Sequence, residues 1–206
     1  VYIDIFICSS PLQLLNILNI VQSKQISGNN GYLFVRVNKF WNINQVDKDK
    51  ITDCYGRLFK KIIFVNKPNE ILCNIDFGVR TLLTYSDVGL EKIFIEQFGA
   101  SRVVIYEEGY ATYHPTFAYS TLLKIKYIIK GFAPFIGASS LTNEVVVHYP
   151  RVYSQVHKKN SSTSVTKFNS TFVQTLENNR REFYDIFGFE TISLTGVKNV
   201  LLVLLT

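Results

Sequence analysis

Short apolar runs, rich in β-branched and aromatic residues, recur along this chain between longer segments whose apolar positions fall at helical spacing. That alternation limits the fold more than any other feature. A strand that reads as apolar throughout has to be buried on both faces, and only helices laid over a sheet can cover it. The pattern therefore predicts an α/β domain, a Rossmann-like parallel sheet with helices on both faces. Tyr2–Cys8 (YIDIFIC) reads as the first strand, followed by residues 32–37, 61–65, 102–106 and 144–148, the last taken as the final strand of the domain. Pro11 opens a helix whose Leu14, Leu15, Leu18 and Val21 share a face, and proline suits a first helical turn. Further helices are expected over residues 44–60, 88–98, 116–130 and 171–187, with Gly99 ending the second of these. Residues 71–77 fit a strand or a helix equally.

The chain has 206 residues, 47% of them apolar and 18% charged, which is the composition of a globular domain able to bury a core. No uninterrupted apolar run reaches the roughly 20 residues a membrane-spanning helix needs, and the N-terminus carries no signal-peptide pattern, so a cytoplasmic protein is expected. Cys8, Cys54 and Cys73 are scattered and odd in number, which predicts free thiols and neither a disulfide framework nor a metal site. The formal charge of +6 suits anionic partners without choosing among them. Methionine is absent and the last apolar run, residues 199–205, ends the sequence without a partner. The reading is a domain over residues 1–187, a linker over 188–198, and at 199–206 the first strand of a second domain lying beyond Thr206.

Two passages carry candidate chemistry. In residues 102–114 (RVVIYEEGYATYH) a buried strand runs into Glu107, Glu108 and Gly109, at the strand edge where open α/β sheets bind ligands. Adjacent carboxylates raise one another's pKa, so one is suited to act as a base near neutrality, while Gly109 allows a sharp turn. Tyr110, Tyr113 and His114 add rings and hydrogen-bonding groups suited to a sugar. In residues 8–16 (CSSPLQLLN), Ser9, Ser10 and Gln13 sit where a strand gives way to a helix. They can hold a ligand hydroxyl or anion, or Ser10 can simply cap the helix. No Gly-x-Gly-x-x-Gly cradle, phosphate-binding Gly-Lys-Ser/Thr loop, Gly-x-Ser-x-Gly elbow or metal-ligand spacing occurs. His148 and His157 read as structural. Lys124, Lys126 and Lys130 mark either a solvated helix edge or a peripheral contact with anionic lipid.

A first strand entering a Ser-Pro-Leu-Gln turn, with an acidic-acidic-Gly element later in the same half, resembles the bacterial sialyltransferases of glycosyltransferase family 52 and the related capsular polysialyltransferases. The resemblance implies the GT-B arrangement of two Rossmann-like domains, of which this chain would supply the N-terminal, acceptor-side half. It implies inverting, metal-independent transfer of sialic acid from a cytidine monophosphate donor to a hydroxyl of a terminal sugar. No cofactor is implied beyond that donor substrate, held mainly by the other domain. In this motif one acidic residue is the acceptor-activating base; Glu107 is favoured, because successive strand side chains point to opposite faces and Glu108 would then face away. Ser9, Ser10, Gln13, Gly109, Tyr110 and Tyr113 would line the substrate site. The family's second motif, His-Pro, belongs to the nucleotide-binding domain, so His114 and Pro115 are coincidental. The partners implied are a nucleotide-sugar donor and a glycan acceptor, with peripheral membrane contact and a homo-oligomer compatible; the aromatic strand motif of an RNA-binding sheet is absent from the sequence, so nucleic acid ranks last and is not expected. The rivals are a GT-B enzyme using another nucleotide sugar and a non-catalytic polysaccharide-assembly protein.

Overall fold

A computed structural model of the chain describes residues 2–39, 41–73, 75, 78–88, 90–115, 125, 129, 133, 135–157 and 163–187. Seven strands form one sheet: β1 (Tyr2–Cys8), β2 (Gly31–Arg36), β3 (Lys61–Val65), β4 (Gly78–Thr84), β5 (Arg102–Tyr106), β6 (Glu144–Val147) and β7 (Ser164–Lys167). All neighbours pair in parallel, in the order β3-β2-β1-β4-β5-β6-β7. The helices are α1 (Pro11–Gln22), α2 (Gln45–Tyr55), α3 (Asn69–Cys73), α4 (Leu90–Phe98), α5 (Tyr110–Tyr113), α6 (Pro150–Val156), α7 (Phe172–Asn178) and α8 (Arg180–Phe187). This is the α/β, Rossmann-like architecture that the alternation predicts.

The sheet grows outward from β1 in one direction and then, beginning with β4, in the other. With the right-handed crossovers that parallel strands follow as a rule, this order puts α1 and α2 on one face and the helices after β4 and β6 on the opposite one. Contacts divide the helices accordingly: α1 meets α7, α2 meets α8 and α7 meets α8, whereas α5 meets α6. The order reverses between β1 and β4, and the carboxyl ends of the strands at such a reversal are the general place for a ligand in an open α/β sheet.

β1 is central because six of its seven residues are buried, among them Ile5, Phe6 and Ile7 with no exposed surface. Asp4 interrupts this apolar strand. Its carboxylate receives two hydrogen bonds from the Arg80 guanidinium on β4, Nε to Oδ1 at 3.0 Å and Nη2 to Oδ2 at 2.5 Å. This pair explains the strand that sequence reading missed: Arg80 breaks the apolar run of β4, but its charge is answered across the sheet. β7, also unforeseen, is a short and partly exposed edge strand, so β6 is not the last. The helix expected over 44–60 stops at Tyr55, and the one over 171–187 is two helices. Asn179 separates them, its amide donating to the Thr175 carbonyl at 2.8 Å and exchanging hydrogen bonds with Gln22.

The ambiguous segment 71–77 begins inside α3, and α6 also went unforeseen. Of the helix expected over 116–130, Ile125 and Ile129 are helical and exposed. Lys124, Lys126, Lys130, the linker at 188–198 and the strand at 199–206 lie outside the described residues. No helix among the described residues is long and apolar enough to cross a membrane.

Replacing Arg80 with Leu leaves the buried Asp4 carboxylate without its partner. Because Arg80 is itself about half exposed, the cost expected is at the low end for such pairs, about 1–2 kcal/mol in urea unfolding, with much of it recovered by adding Asp4→Val. Equal stability of Arg80→Leu and the parent would contradict this role for the pair.

Candidate active site at the carboxyl edge of the sheet

The two sequence passages meet at the carboxyl edge of the sheet. The Tyr106 hydroxyl at the end of β5 donates to the Ile7 carbonyl of β1 at 2.7 Å. Helix α1 carries three buried amides at successive spacings of three, Gln13, Asn16 and Asn19. Each points its nitrogen at another part of the chain: Gln13 at Glu108, Asn16 at the Glu107 carbonyl at 2.7 Å, and Asn19 at the Ser170 carbonyl at 2.9 Å. A polar row on a buried helix face is costly unless its groups are bonded; all three nitrogens are, while the Asn19 Oδ1 is not, and the row marks where α1 is keyed to its neighbours.

Ser10 caps α1, its hydroxyl accepting from the Gln13 backbone N–H at 3.3 Å. Ser9 acts on the Gln13 side chain instead: its backbone N–H and its hydroxyl both donate to Oε1, at 2.7 and 3.0 Å. A backbone N–H can only donate, which fixes the amide so that Nε2 faces Glu108 Oε1, 3.4 Å away. Ser9, Ser10 and Gln13 therefore share one end of the sheet with the acidic pair, and they spend their polar groups on building it.

Glu107 and Glu108 part company as strand alternation requires. Glu107 extends β5, its N–H donating to the Val146 carbonyl at 2.9 Å. Its buried carboxylate accepts at Oε2 from the Tyr113 hydroxyl and from the His148 backbone N–H at 2.7 Å. Burial raises its pKa, and these two donors partly offset that. Tyr113 in turn accepts from the Tyr149 N–H at 3.1 Å, so it links two strand ends around Glu107. Glu108 has a thinner shell: the Gln13 amide at its carboxylate, and the Thr112 hydroxyl accepting from its backbone N–H at 2.8 Å. Burial first, then the negative charge of Glu91, pushes its pKa up to about 7. The electrostatics thus favour Glu108 as the poised base, where sequence reading favours Glu107.

Between the pair and α5, Gly109 adopts φ +130°, a conformation that side-chain-bearing residues rarely take. Tyr110 is 80% exposed and its ring lies 5.8 Å from that of His114, apart from the carboxylates. Sequence reading also missed a group on the β1–β4 side of the crevice. Arg36, the last residue of β2, reaches Glu91 Oε1 at 2.5 Å and the Tyr85 hydroxyl at 2.7 Å, and that hydroxyl donates to Glu91 at 2.6 Å. A lone arginine closing an apolar strand was the available signal.

Both suspected structural histidines support this edge. Because Asn16 gives its nitrogen to Glu107, its oxygen faces His148 Nε2 at 3.4 Å, which assigns that ring a proton on Nε2. His157, almost wholly buried, donates from Nε2 to the Thr112 carbonyl at 2.9 Å and stacks on Phe135. Among the described residues, no group of three or more His, Cys, Asp and Glu is placed to hold a metal. Two surface depressions lie elsewhere, one at the amino ends of the strands beside Asp4, Arg80 and Arg102, the other along α7 and α8. Neither borders the acidic pair. Comparison with protein-family models and with curated proteins finds no match to this chain, so the functional reading rests on the site itself.

Burial beside Phe168 lowers the pKa of His148 from 6.5 to about 4. An unfolded chain takes up this proton at higher pH than the folded one, so the stabilisation is complete above about pH 6.5 and is lost as pH falls toward 4. Urea midpoints of the parent and His148→Gln should therefore converge between pH 7.5 and 4.5. A constant gap would contradict a neutral, buried His148.

Proposed function

We propose that this chain supplies the acceptor side of an inverting, metal-independent glycosyltransferase, with Glu108 as the base that activates the acceptor hydroxyl. One observation carries this reading: a half-buried carboxylate, met by the Gln13 amide at 3.4 Å, at the carboxyl edge of an open parallel sheet, where burial pushes its pKa up to about 7. A group that must take a proton from an alcohol at neutral pH works best with its own pKa near the ambient value.

In this reaction Glu108 accepts the acceptor's hydroxyl proton as that oxygen forms a bond to the anomeric carbon of the donor sugar. The bond from that carbon to the leaving phosphate oxygen breaks on the opposite face, its electron pair departs with the nucleotide, and the configuration inverts. The resemblance of the Ser-Pro-Leu-Gln turn and the acidic-acidic-Gly element to the family 52 sialyltransferases favours sialic acid as the sugar and cytidine monophosphate as the leaving group. The second domain of the GT-B arrangement would hold that nucleotide. Glu107, bound by Tyr113 and the His148 N–H, keeps the loop in shape.

Glu108→Gln preserves size and hydrogen bonding but cannot accept the proton. In the full-length enzyme, single-turnover sialyl transfer should fall by roughly 10²–10⁴-fold with donor affinity retained, while Glu107→Gln keeps the larger share of turnover. The parent rate should rise with pH through about 7, as Glu108 loses its proton. Normal turnover in Glu108→Gln would overturn the assignment. Transfer from another nucleotide sugar in a donor panel, and none from the cytidine monophosphate donor, would replace sialic acid in the reading and leave the base in place.

A further inference from the structure

The amino edge of the sheet, at the opposite ends of the strands from the acidic pair, holds a second concentration of polar groups. A depression of about 330 Å³ opens there, lined by residues from the starts of β1, β4 and β5 and from the loop before β2. Two guanidiniums line it, Arg80 and Arg102, with side chains 56% and 47% exposed. A carboxylate anchors each of them on one side. Arg80 gives Nε and Nη2 to Asp4, and Arg102 gives Nη2 to Glu144. The carboxylates are thereby spent, since both Asp4 oxygens accept from Arg80 and the other Glu144 oxygen accepts from the Thr166 hydroxyl at 2.6 Å. Gln25 is spent too, bonded to the Lys167 carbonyl and the Asn169 N–H. What remains on the lining residues is an excess of donors: Nη1 of Arg80, Nε and Nη1 of Arg102, and the hydroxyls of Ser27, Thr81 and Ser101.

Two details separate this arrangement from ordinary charges at a sheet edge. The pairing of β1 with β4 slips here: Ile3 pairs with Val79 and Asp4 with Thr81, which leaves Arg80 as an extra residue. Such a bulge is rare between parallel strands, and it re-aims the side chain it inserts. The second detail is Thr81. It lines the depression although only 5% exposed, and its hydroxyl makes no hydrogen bond with any described residue. A buried hydroxyl left without a partner is costly, so its partner lies in whatever fills the depression. Thr81 follows Arg80 in the chain and pairs across the sheet with Arg102, so its backbone stands between the two arginines.

We propose that this amino-edge depression binds a phosphate monoester, with Arg80 and Arg102 meeting the phosphate oxygens and the Thr81 hydroxyl as the buried donor between them. A planar carboxylate is matched by one guanidinium edge, whereas the tetrahedral oxygens of a phosphate accept donors from two strands at once. The depression has the volume of about ten waters, more than a phosphate fills, which leaves room for a small esterified group. This is a binding site at the far edge from Glu108, and it stands or falls independently of the proposed reaction.

The test is an amide ¹H–¹⁵N NMR titration of the protein with inorganic phosphate, against sodium chloride at matched ionic strength and pH. The parent should show saturable shifts centred on residues 25–27, 80, 81, 101 and 102, with a Kd of about 1–10 mM for the bare anion. Arg102→Gln leaves the Asp4–Arg80 pair intact and Glu144 still bonded to Thr166. Thr81→Val keeps the strand and removes the hydroxyl. The Kd should rise about tenfold in the first and about fivefold in the second. Lys50→Gln removes the same charge from α2, where Lys50 pairs with Asp185, and should leave the Kd unchanged. Shifts that do not saturate, or equal weakening in Lys50→Gln and Arg102→Gln, would overturn the proposal by reducing the effect to the net charge of +6. Undiminished binding in both Arg102→Gln and Thr81→Val would overturn it as well. Flotation with phosphatidylcholine vesicles, with and without phosphatidic acid, identifies the source of the phosphate. Attachment that needs phosphatidic acid and is lost in Arg102→Gln assigns the site to a lipid headgroup, and saturable phosphate shifts without attachment assign it to a soluble ester.

Discussion

A parallel sheet that winds outward in both directions from one strand pulls its covering helices to opposite faces, and the strand ends at the reversal must then be closed by side chains. Here the reversal lies between β1 and β4. The closure is polar: Ser9 and Gln13 from the turn into α1, Asn16 from its second turn, Arg36 and Tyr85 from neighbouring strand ends, and Glu91 from α4. An apolar closure would seal the crevice with fewer demands, since every buried polar group must find a partner. That the partners are found, in one group of Arg36, Tyr85 and Glu91 and another of Ser9, Gln13, Asn16 and the acidic pair, sets this edge of the sheet apart from the apolar interior below it.

The same closure separates two chemically identical neighbours. Both Glu107 and Glu108 are desolvated, and desolvation alone raises both pKa values. Glu107 regains part of the lost solvation from a tyrosyl hydroxyl and a backbone N–H, which stabilise its charge. Glu108 receives one long amide contact, and its desolvation, with a smaller addition from the negative charge of Glu91, pushes its pKa up to about 7. Pairs of carboxylates whose surroundings drive them toward different protonation are the usual means by which a site assigns distinct roles to like groups.

Much of this was legible in the sequence. β1, β3 and β5 are predominantly apolar runs and were placed residue for residue, as was the proline start of α1. The acidic pair at the end of β5 was legible too, because strand position and residue type are both local. What stayed hidden depends on long-range pairing. β4 looks broken at Arg80 until Asp4, 76 residues away, is seen to answer it. Arg36 and Glu91 are 55 residues apart, and neither belongs to a motif. Strand alternation foretold that the two glutamates would diverge, but the difference between them rests on which one meets the Tyr113 hydroxyl and the His148 N–H and which one has the long Gln13 amide contact.

The central claim is that the crevice presents Glu108, and not Glu107, to the reacting hydroxyl. A crystal structure of the protein with an acceptor glycan and an unreactive analogue of the proposed donor tests it most directly. The account predicts the attacking hydroxyl within about 2.6–3.2 Å of a Glu108 carboxylate oxygen, with Glu107 still bound to Tyr113 and the His148 N–H. An acceptor hydroxyl seated on Glu107, or one beyond reach of both carboxylates, would contradict it.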